Sequence, residues 1–132
     1  MKQFGLSKIE RIKSKKELSF VYSQGSILYS NDKSFKVNFY KIDNSEKPFV
    51  KAAFAVHKKA GIAVWRNRVK RLLREAYRLN KKKLIVWSSQ NRISIYLVFS
   101  PSSINQNNNP KISLHQVMPQ IKSIIDKVIR VG

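Results

Sequence analysis

Cysteine is absent from this 132-residue chain, and acidic residues are scarce, with only seven Asp and Glu. Without cysteine the chain has no disulfide bond, no thiolate metal site and no cysteine nucleophile. Neither the scattered acidic residues nor the two histidines fall at the spacing of a metal site or a catalytic carboxylate pair. A glycine-rich phosphate-binding loop is also lacking. The sequence therefore predicts no catalytic residue and no metal-binding residue in the chain itself.

Long apolar runs are missing as well. No segment approaches the roughly 20 apolar residues that cross a bilayer. Residues 1–18, MKQFGLSKIERIKSKKEL, lack the apolar core of a signal peptide. We therefore expect a soluble protein without a membrane partner, and the reducing cytoplasm is the default location.

Positive charge dominates what is present. Lys and Arg number 27, which gives a formal net charge of +20. Hydrophobic residues make up 42% of the chain, so the charge belongs to a folded body and not to a disordered tail. Such an excess repels itself, and a polyanionic partner relieves the repulsion. The length fits one domain.

Local patterns in the first half predict a helix followed by two or three strands. An S-x-x-E capping box at Ser14 and helical spacing up to Gly25 predict a helix over about 15–24. Residues 34–42, SFKVNFYKI, alternate as expected for a strand with one buried face. A second β-rich run, residues 49–57, follows a turn, and the two runs together predict a β-hairpin.

The second half predicts a helix, a buried strand and a final helix. The first of these helices covers residues 62–79, and residues 79–92, LNKKKLIVWSSQNR, look like an irregular linker. Residues 93–100, ISIYLVFS, predict a strand that is buried more fully. Apolar residues at three- and four-residue spacing over 114–128 predict an amphipathic helix. These elements together predict an α+β fold in which helices cover a sheet.

The stretch KKAGIAVWRNRVKRLLREAYR, residues 58–78, combines a core-facing stripe with a cationic face. At roughly 100° per residue, the apolar residues share one arc of about 120°. That arc contains Ile62, Trp65, Val69, Leu72, Leu73, Ala76 and Leu79. The opposite side contains Arg66, Asn67, Lys70, Arg71, Arg74 and Arg78, and Arg68 lies near the edge of the arc. Within the face, like charges recur at a four-residue spacing, which costs helix stability.

Three explanations of this cationic face compete. A solvated helix face normally mixes both charge signs, but Glu75 is the only acid here. A membrane-surface helix needs its apolar stripe for lipid, whereas this stripe is needed for the core. Phosphate contacts explain the pattern best, because Arg offers a planar fork and Lys a compact charge. The helix is therefore predicted to bind nucleic acid. A nucleic-acid-binding chain without catalytic groups is either a binding module or an assistant to a catalyst made of nucleic acid.

Two further features allow more than one interpretation. Tyr22 on the first helix, with Lys36, Asn38 and Tyr40 on the exposed face of the strand, would line a groove for an unpaired nucleic-acid strand. Exposed strand tyrosines are also common as cross-strand packing pairs. His57 at a strand end is either a general acid or base or a structural residue. The residues alone leave both questions open.

The stretch 58–78 strongly resembles the signature of the bacterial ribonuclease P protein subunit, a family in which an R-N-R triplet opens a basic helix. The order of the remaining predicted elements also fits this family, and Leu18 stands where an aromatic residue is common. The matching positions are Lys58, Lys59, Gly61, Ala63, Val64, Arg66, Asn67, Arg68, Lys70, Arg71, Leu72, Arg74 and Glu75.

The resemblance implies a single RNA-binding domain over residues 1–132. Its fold would be a two-layer α+β domain with a mostly antiparallel four-stranded sheet and three helices, in the order αβββαβα with a left-handed βαβ crossover. The implied protein is the accessory subunit of an endoribonuclease. It would bind a catalytic RNA and the 5′ leader of precursor tRNA and assist Mg²⁺-dependent removal of that leader. The RNA would carry the chemistry and bind most of the Mg²⁺, and no obligate protein partner is expected.

The resemblance also implies roles for individual residues. The implied RNA-binding residues are Lys58, Lys59, Arg66, Asn67, Arg68, Lys70, Arg71, Arg74 and Arg78. The implied leader-binding groove contains Leu18, Tyr22, Lys36, Asn38 and Tyr40. Two alternatives are a ribosome-associated RNA-binding protein without a catalytic partner and a protein-only nuclease.

Overall fold

The computed structural model describes residues 10–131, so part of the N-terminal stretch in which a signal peptide was sought lies outside the described residues. Three helices and four strands follow one another in the predicted order αβββαβα, with a short 3-10 turn before the second helix. They are α1 Lys15–Gln24, β1 Ser26–Tyr29, β2 Phe35–Ile42, β3 Val50–Phe54, the turn Lys58–Ala60, α2 Ala63–Asn91, β4 Ser94–Pro101 and α3 Leu114–Val131.

The four strands form one mixed sheet in the order β1-β2-β4-β3. Strand β2 pairs antiparallel with both β1 and β4, and β3 pairs parallel with β4, so the mostly antiparallel sheet is confirmed. The predicted hairpin between residues 34–42 and 49–57 is wrong, because β4 lies between those two strands. Strand β4 carries fully buried residues on both of its faces, including Leu97 and Val98, and this makes it suited to an interior position.

The first helix has the predicted bounds. The Ser14 hydroxyl accepts a hydrogen bond from the Glu17 N–H at 3.0 Å, and the Gly25 N–H donates to the Val21 carbonyl at 2.8 Å. A Cβ atom at Gly25 would lie 2.4 Å from the Val21 oxygen and 2.6 Å from the Phe39 oxygen. Glycine is therefore required here by the close approach of two backbone segments.

The second helix is longer than predicted. Residues 79–92 do not form a linker, because α2 continues to Asn91 and ends where Arg92 takes a left-handed conformation with φ of 54°. Buried Leu84 and Ser88 extend the stripe that faces the core. The predicted apolar arc is partly wrong, since Ile62 and Leu79 are exposed. Fully buried Tyr77 lies on the core side instead.

The two faces of the sheet are covered unequally. Helices α2 and α3 pack on the face that contains Val37, Leu97 and Phe99, and together they enclose the main core. Helix α1 packs on the opposite face through Val21, which contacts Val98. No helix within the described part of the chain is both long and apolar enough to cross a membrane.

Candidate nucleic-acid interface

Backbone carbonyl groups orient Arg66 and Arg68 at the start of α2. The Nε–H of Arg66 donates to the Gly61 carbonyl oxygen, and the Nε–H of Arg68 donates to the Ile112 carbonyl oxygen, both at 3.0 Å. Neither arginine forms an ion pair within the described part of the chain. A carbonyl group that accepts a hydrogen bond from Nε–H fixes the plane of the guanidinium group. The terminal N–H groups of the same arginine are then available for phosphate oxygens.

The loop between β4 and α3 holds the start of α2 in place. The Gln106 side-chain oxygen accepts the Ile62 N–H at 2.8 Å, and the Trp65 indole N–H donates to the Asn109 carbonyl at 2.9 Å. A Cβ atom at Gly61 would lie 2.8 Å from both Gln106 and Trp65, so glycine allows this close approach. The role of this loop in holding α2 was not predicted from the sequence, because its polar residues act through tertiary contacts.

The N-terminus of α2 carries no negative charge. Its N-cap residue, Ile62, makes no side-chain capping hydrogen bond, and the first turn contains no acidic residue. The positive end of the helix dipole is therefore uncompensated by the helix's own side chains. This end of α2 and the arginine side chains that follow it favour a negatively charged partner.

We call eight residues around the R-N-R triplet the R-N-R face. Most are exposed, and Arg66 and Lys70 are half-buried. The Arg74 guanidinium carbon lies 5.9 Å from the centre of the Phe54 ring, a cation–π contact that leaves the arginine exposed. The eight residues are Lys58, Lys59, Arg66, Asn67, Arg68, Lys70, Arg71 and Arg74.

Arg78 differs from the other arginines of α2. Its Nε–H donates to the Glu75 carboxylate at 3.0 Å, and a second N–H of the same guanidinium also contacts that carboxylate. The contact lowers the pKa of the Glu75 carboxyl group and raises that of Arg78. An arginine already paired with a carboxylate has less charge to offer to phosphate, so we leave Arg78 outside the R-N-R face.

His57 has a structural role. The strand before it ends at Phe54, and His57 is the N-cap of the 3-10 turn. Its Nδ1 accepts the Lys59 N–H at 3.1 Å. This bond supports the structural interpretation and positions Lys58 and Lys59 next to the start of α2.

The sheet face under α1 contains more residues than the sequence predicted. Strand β1 pairs Ile27 with Asn38 and Tyr29 with Lys36, so these four residues point to the same side. Ile27 and Tyr29 are both exposed. They were missed because β1 is only four residues long and shows no clear alternation. Cross-strand pairing, which the sequence does not show directly, places them beside the predicted groove.

Asn38 is not exposed as predicted. Its exposed fraction is 5%, and its side-chain oxygen is buried without a hydrogen-bond partner among the described residues. Its neighbours on this face are Ile27 of β1 and Val98 of β4, so apolar side chains flank it on both sides. Asn38 therefore lies in the floor of this face and not on its surface.

Helix α1 separates two of the predicted groove residues. Val21 faces the sheet, and Phe20 and Tyr22 on either side of it are about 200° apart around the helix, so they lie on opposite flanks. The Phe20 ring contacts the Tyr40 ring edge to face, with 4.7 Å between centres. Tyr40 therefore lies on the Phe20 flank of α1, away from Tyr22. Leu18 is half-buried and packs in the small core under the helix.

Metal-binding side chains do not gather in the part of the chain that the structure covers. Within residues 10–131, no three His, Cys, Asp or Glu side chains are close enough together to hold a metal ion. Several acidic residues are instead used in ion pairs, such as Glu10 with Lys81 at 2.7 Å and Asp126 with Lys83 at 2.8 Å.

The sequence of this chain is similar to those of known proteins. The family model described as Ribonuclease P matches residues 6–121. The ribonuclease P protein component of Syntrophus aciditrophicus is 37% identical over 84 residues, which are 63% of this chain and 66% of that protein. That of Dictyoglomus thermophilum is 31% identical over 124 residues, 94% of this chain and 92% of that protein. The matches to the first three curated relatives span 58% to 66% of those proteins.

Solved structures show the same fold. The RNase P protein of Staphylococcus aureus superposes with a TM-score of 0.66 at 21% identity, covering 92% of this chain and 96% of that one. The RNase P protein of Thermotoga maritima gives 0.65 at 20% identity, covering 93% and 98%. With the family model matching most of the chain and a curated relative aligned over nearly its whole length, the chain belongs to the ribonuclease P protein family.

Proposed function

We propose that this chain is the protein subunit of a ribonuclease P ribonucleoprotein, in which a catalytic RNA removes the 5′ leader of precursor tRNA. The observation that carries the proposal is the pair of arginines, Arg66 and Arg68, whose guanidinium groups are preoriented by backbone carbonyls. Preoriented donors lose little conformational entropy on binding phosphate, so they suit a stable RNA complex.

The R-N-R face is proposed to bind the catalytic RNA. It combines the uncompensated N-terminus of α2 with several Arg and Lys side chains, a combination suited to a phosphate backbone. The predicted residue Arg78 would contribute less, because Glu75 already neutralises it.

A second surface is proposed to bind the leader. It consists of Tyr22 on one flank of α1 together with Ile27, Tyr29 and Lys36 on the sheet face that α1 covers in part. Rings and a cation on one surface suit an unpaired strand, whose bases stack and whose phosphates need charge. Asn38 and Leu18 would support this surface from below.

Mg²⁺ belongs to the proposal as an ion held mainly by RNA phosphates. When bound, it would activate water and stabilise charge at the scissile phosphate. The chain's own residues would bind and position the two RNA molecules. Assembly would take place in the cytoplasm, where the precursor tRNA is made.

The test is reconstitution at low Mg²⁺ with a precursor tRNA substrate. We expect cleavage at the leader junction only when the chain and the catalytic RNA are combined. Cleavage by the pure chain would favour a protein-only nuclease instead. No stimulation of the RNA, together with tight binding to ribosomes, would favour the ribosome-associated alternative.

A further inference from the structure

We propose that a pocket on the Phe20 flank of α1 binds one unpaired nucleobase of an RNA strand, separately from the surface around Tyr22. This proposal rests on the proposed function only in that its ligand is RNA. We call the site the aromatic pocket. It has a volume of about 590 Å³ and is lined by Lys16, Glu17, Phe20, Tyr40, Ile42 and Tyr96.

Three aromatic rings give the aromatic pocket its shape. Phe20 and Tyr40 are in edge-to-face contact, with 4.7 Å between ring centres and 78° between planes. Tyr96 is the cross-strand partner of Tyr40 and is itself fixed by Phe49, at 5.2 Å and 68°. Each ring is thus held in place by a neighbour before any ligand arrives. Held rings lose little entropy on stacking, which favours a planar ligand.

Phe20 leaves part of its ring exposed to solvent beside the aromatic pocket. It remains 41% exposed although buried Val21 is its neighbour, and Ile42 across the pocket is exposed as well. Single exposed apolar residues are ordinary on protein surfaces, but two of them flanking a pocket with two tyrosines form a binding surface.

Charges around the aromatic pocket decide which part of a nucleotide enters it. Lys16 is exposed at the rim, and Lys51 lies 3.5 Å from the Glu17 carboxylate and 5.9 Å from the centre of the Tyr96 ring. The Glu17 carboxylate, although paired with Lys51, can still accept a base N–H, whereas it offers no hydrogen-bond donor to a phosphate. The base therefore enters and the phosphates remain near the lysine side chains at the rim.

The charge of the chain favours RNA over other planar ligands. Because the chain has a net charge of +20, it attracts an RNA strand to its surface before a base enters the pocket. An acidic peptide would gain from the same charge, but its carboxylates would meet Glu17. Stacking platforms beside a cationic surface are the usual arrangement for an unpaired strand.

The test is a nuclear magnetic resonance titration of the full chain with the trinucleotide ApApA. The ring signals of Phe20 and Tyr40, assigned with the variants Phe20→Leu and Tyr40→Leu, report on the aromatic pocket alone. We expect both to shift by ring-current effects on addition of ApApA. A matched abasic trinucleotide, which keeps the phosphates, should leave them unchanged.

Variants separate this pocket from the other surfaces. Phe20→Leu keeps an apolar side chain and the fold but should weaken the binding reported by Tyr40 by about 5- to 160-fold, the equivalent of about 1 to 3 kcal/mol per stacked base. Tyr22→Ala on the opposite flank, and the double change Arg66→Ala with Arg68→Ala, should leave the Phe20 and Tyr40 shifts in place. Unchanged circular dichroism spectra would confirm that each variant is folded.

Two results would overturn the proposal: equal shifts with the abasic trinucleotide, or shifts at Tyr22 and none at Phe20 and Tyr40. Either result leaves the reconstitution of precursor tRNA cleavage untouched, so failure of the pocket is distinguishable from failure of the proposed function. If reconstitution fails while ApApA binds, the aromatic pocket stands as an RNA site on a protein with another role.

Discussion

Arg68 in α2 and Ile112 in the loop before α3 are joined by a hydrogen bond of 3.0 Å from Nε to the carbonyl oxygen, across 44 positions of the chain. Ile112 is itself fully buried, so the core holds the accepting carbonyl in place. The direction of an arginine proposed to bind RNA thus depends on the packing of the C-terminal part of the chain. A loss of packing around Ile112 would therefore also disturb the orientation of Arg68.

Removing the two anchored arginines should weaken assembly with the catalytic RNA. Arg66→Ala with Arg68→Ala deletes two phosphate ligands, so the slope of log affinity against log salt should flatten by roughly 0.7 to 0.9 per lost contact. Filter binding over a range of salt concentrations measures this slope. The control Lys82→Ala with Lys122→Ala removes two exposed positive charges outside the R-N-R face. Equal flattening by both double variants would show that only net charge matters.

Tyr22 should matter only when a leader is present to stack on it. In the reconstituted holoenzyme, Tyr22→Ala should weaken binding of a precursor tRNA with a long leader by roughly 1 to 3 kcal/mol, the range for one lost stacked base. Tyr22→Phe keeps the ring and should bind nearly as well as the unaltered chain. Equilibrium binding with long and one-nucleotide leaders makes the comparison. If Tyr22→Ala is equally impaired on both substrates, the tyrosine is a packing residue.

Sulfate should stabilise the free chain more than a simple salt does. One-signed charge destabilises the compact state, and anions bound to the folded chain relieve that repulsion and shift the unfolding equilibrium. We expect the melting temperature to rise with sulfate beyond its rise in sodium chloride of equal ionic strength. A neutral osmolyte serves as the control for general exclusion effects. Identical curves in sulfate and chloride would contradict specific anion binding.

Tyr77 should make the chain less stable at high pH. Burial, with a smaller contribution from the negative charge of Glu10, raises the pKa of its hydroxyl well above the ordinary 10.0. Above pH 10.0 the unfolded chain loses the Tyr77 proton, whereas the folded chain keeps it. The free energy of unfolding should therefore fall as pH rises above 10.0, by up to about 1.4 kcal/mol per pH unit from this residue.

Urea unfolding of the unaltered chain and of Tyr77→Phe on both sides of this pH measures the effect. The variant should show a flatter pH dependence. At neutral pH its stability should not fall, because the Tyr77 hydroxyl has no hydrogen-bond partner among the described residues. A pH dependence unchanged by the substitution would show that other groups are responsible.

Features carried by consecutive residues were predictable. The bounds of α1 followed from Ser14, Glu17 and Gly25, whose capping contacts lie within one or two turns. Strand β4 was recognised by its continuous apolar run, and the cationic face of α2 by its spacing around one helix. In each case the physical cause, a local hydrogen bond or the helical period, acts between residues close in the chain.

The predictions that were wrong concern features set by contacts between segments far apart in the chain. The hairpin prediction was wrong because it paired β2 with β3, which are consecutive in the chain. In the sheet, β4, which is buried on both faces, lies between them. Asn38 looked exposed from its alternation, but β1, which sequence analysis did not locate, supplies a neighbour that helps to bury it. Helix α2 was cut short because Leu84, in its second half, is buried in a core that is built from elements far away in the chain.

The sequence by itself determined that this is a cationic α+β protein with an R-N-R helix, because charge and periodicity are local properties of the chain. Only the tertiary structure decided that carbonyls of Gly61 and Ile112 aim the two arginines. It also decided that Tyr22 and Tyr40 lie on opposite flanks of α1. Both outcomes depend on which distant segments pack together, and that choice is made by burial of the whole apolar surface rather than by any local stretch.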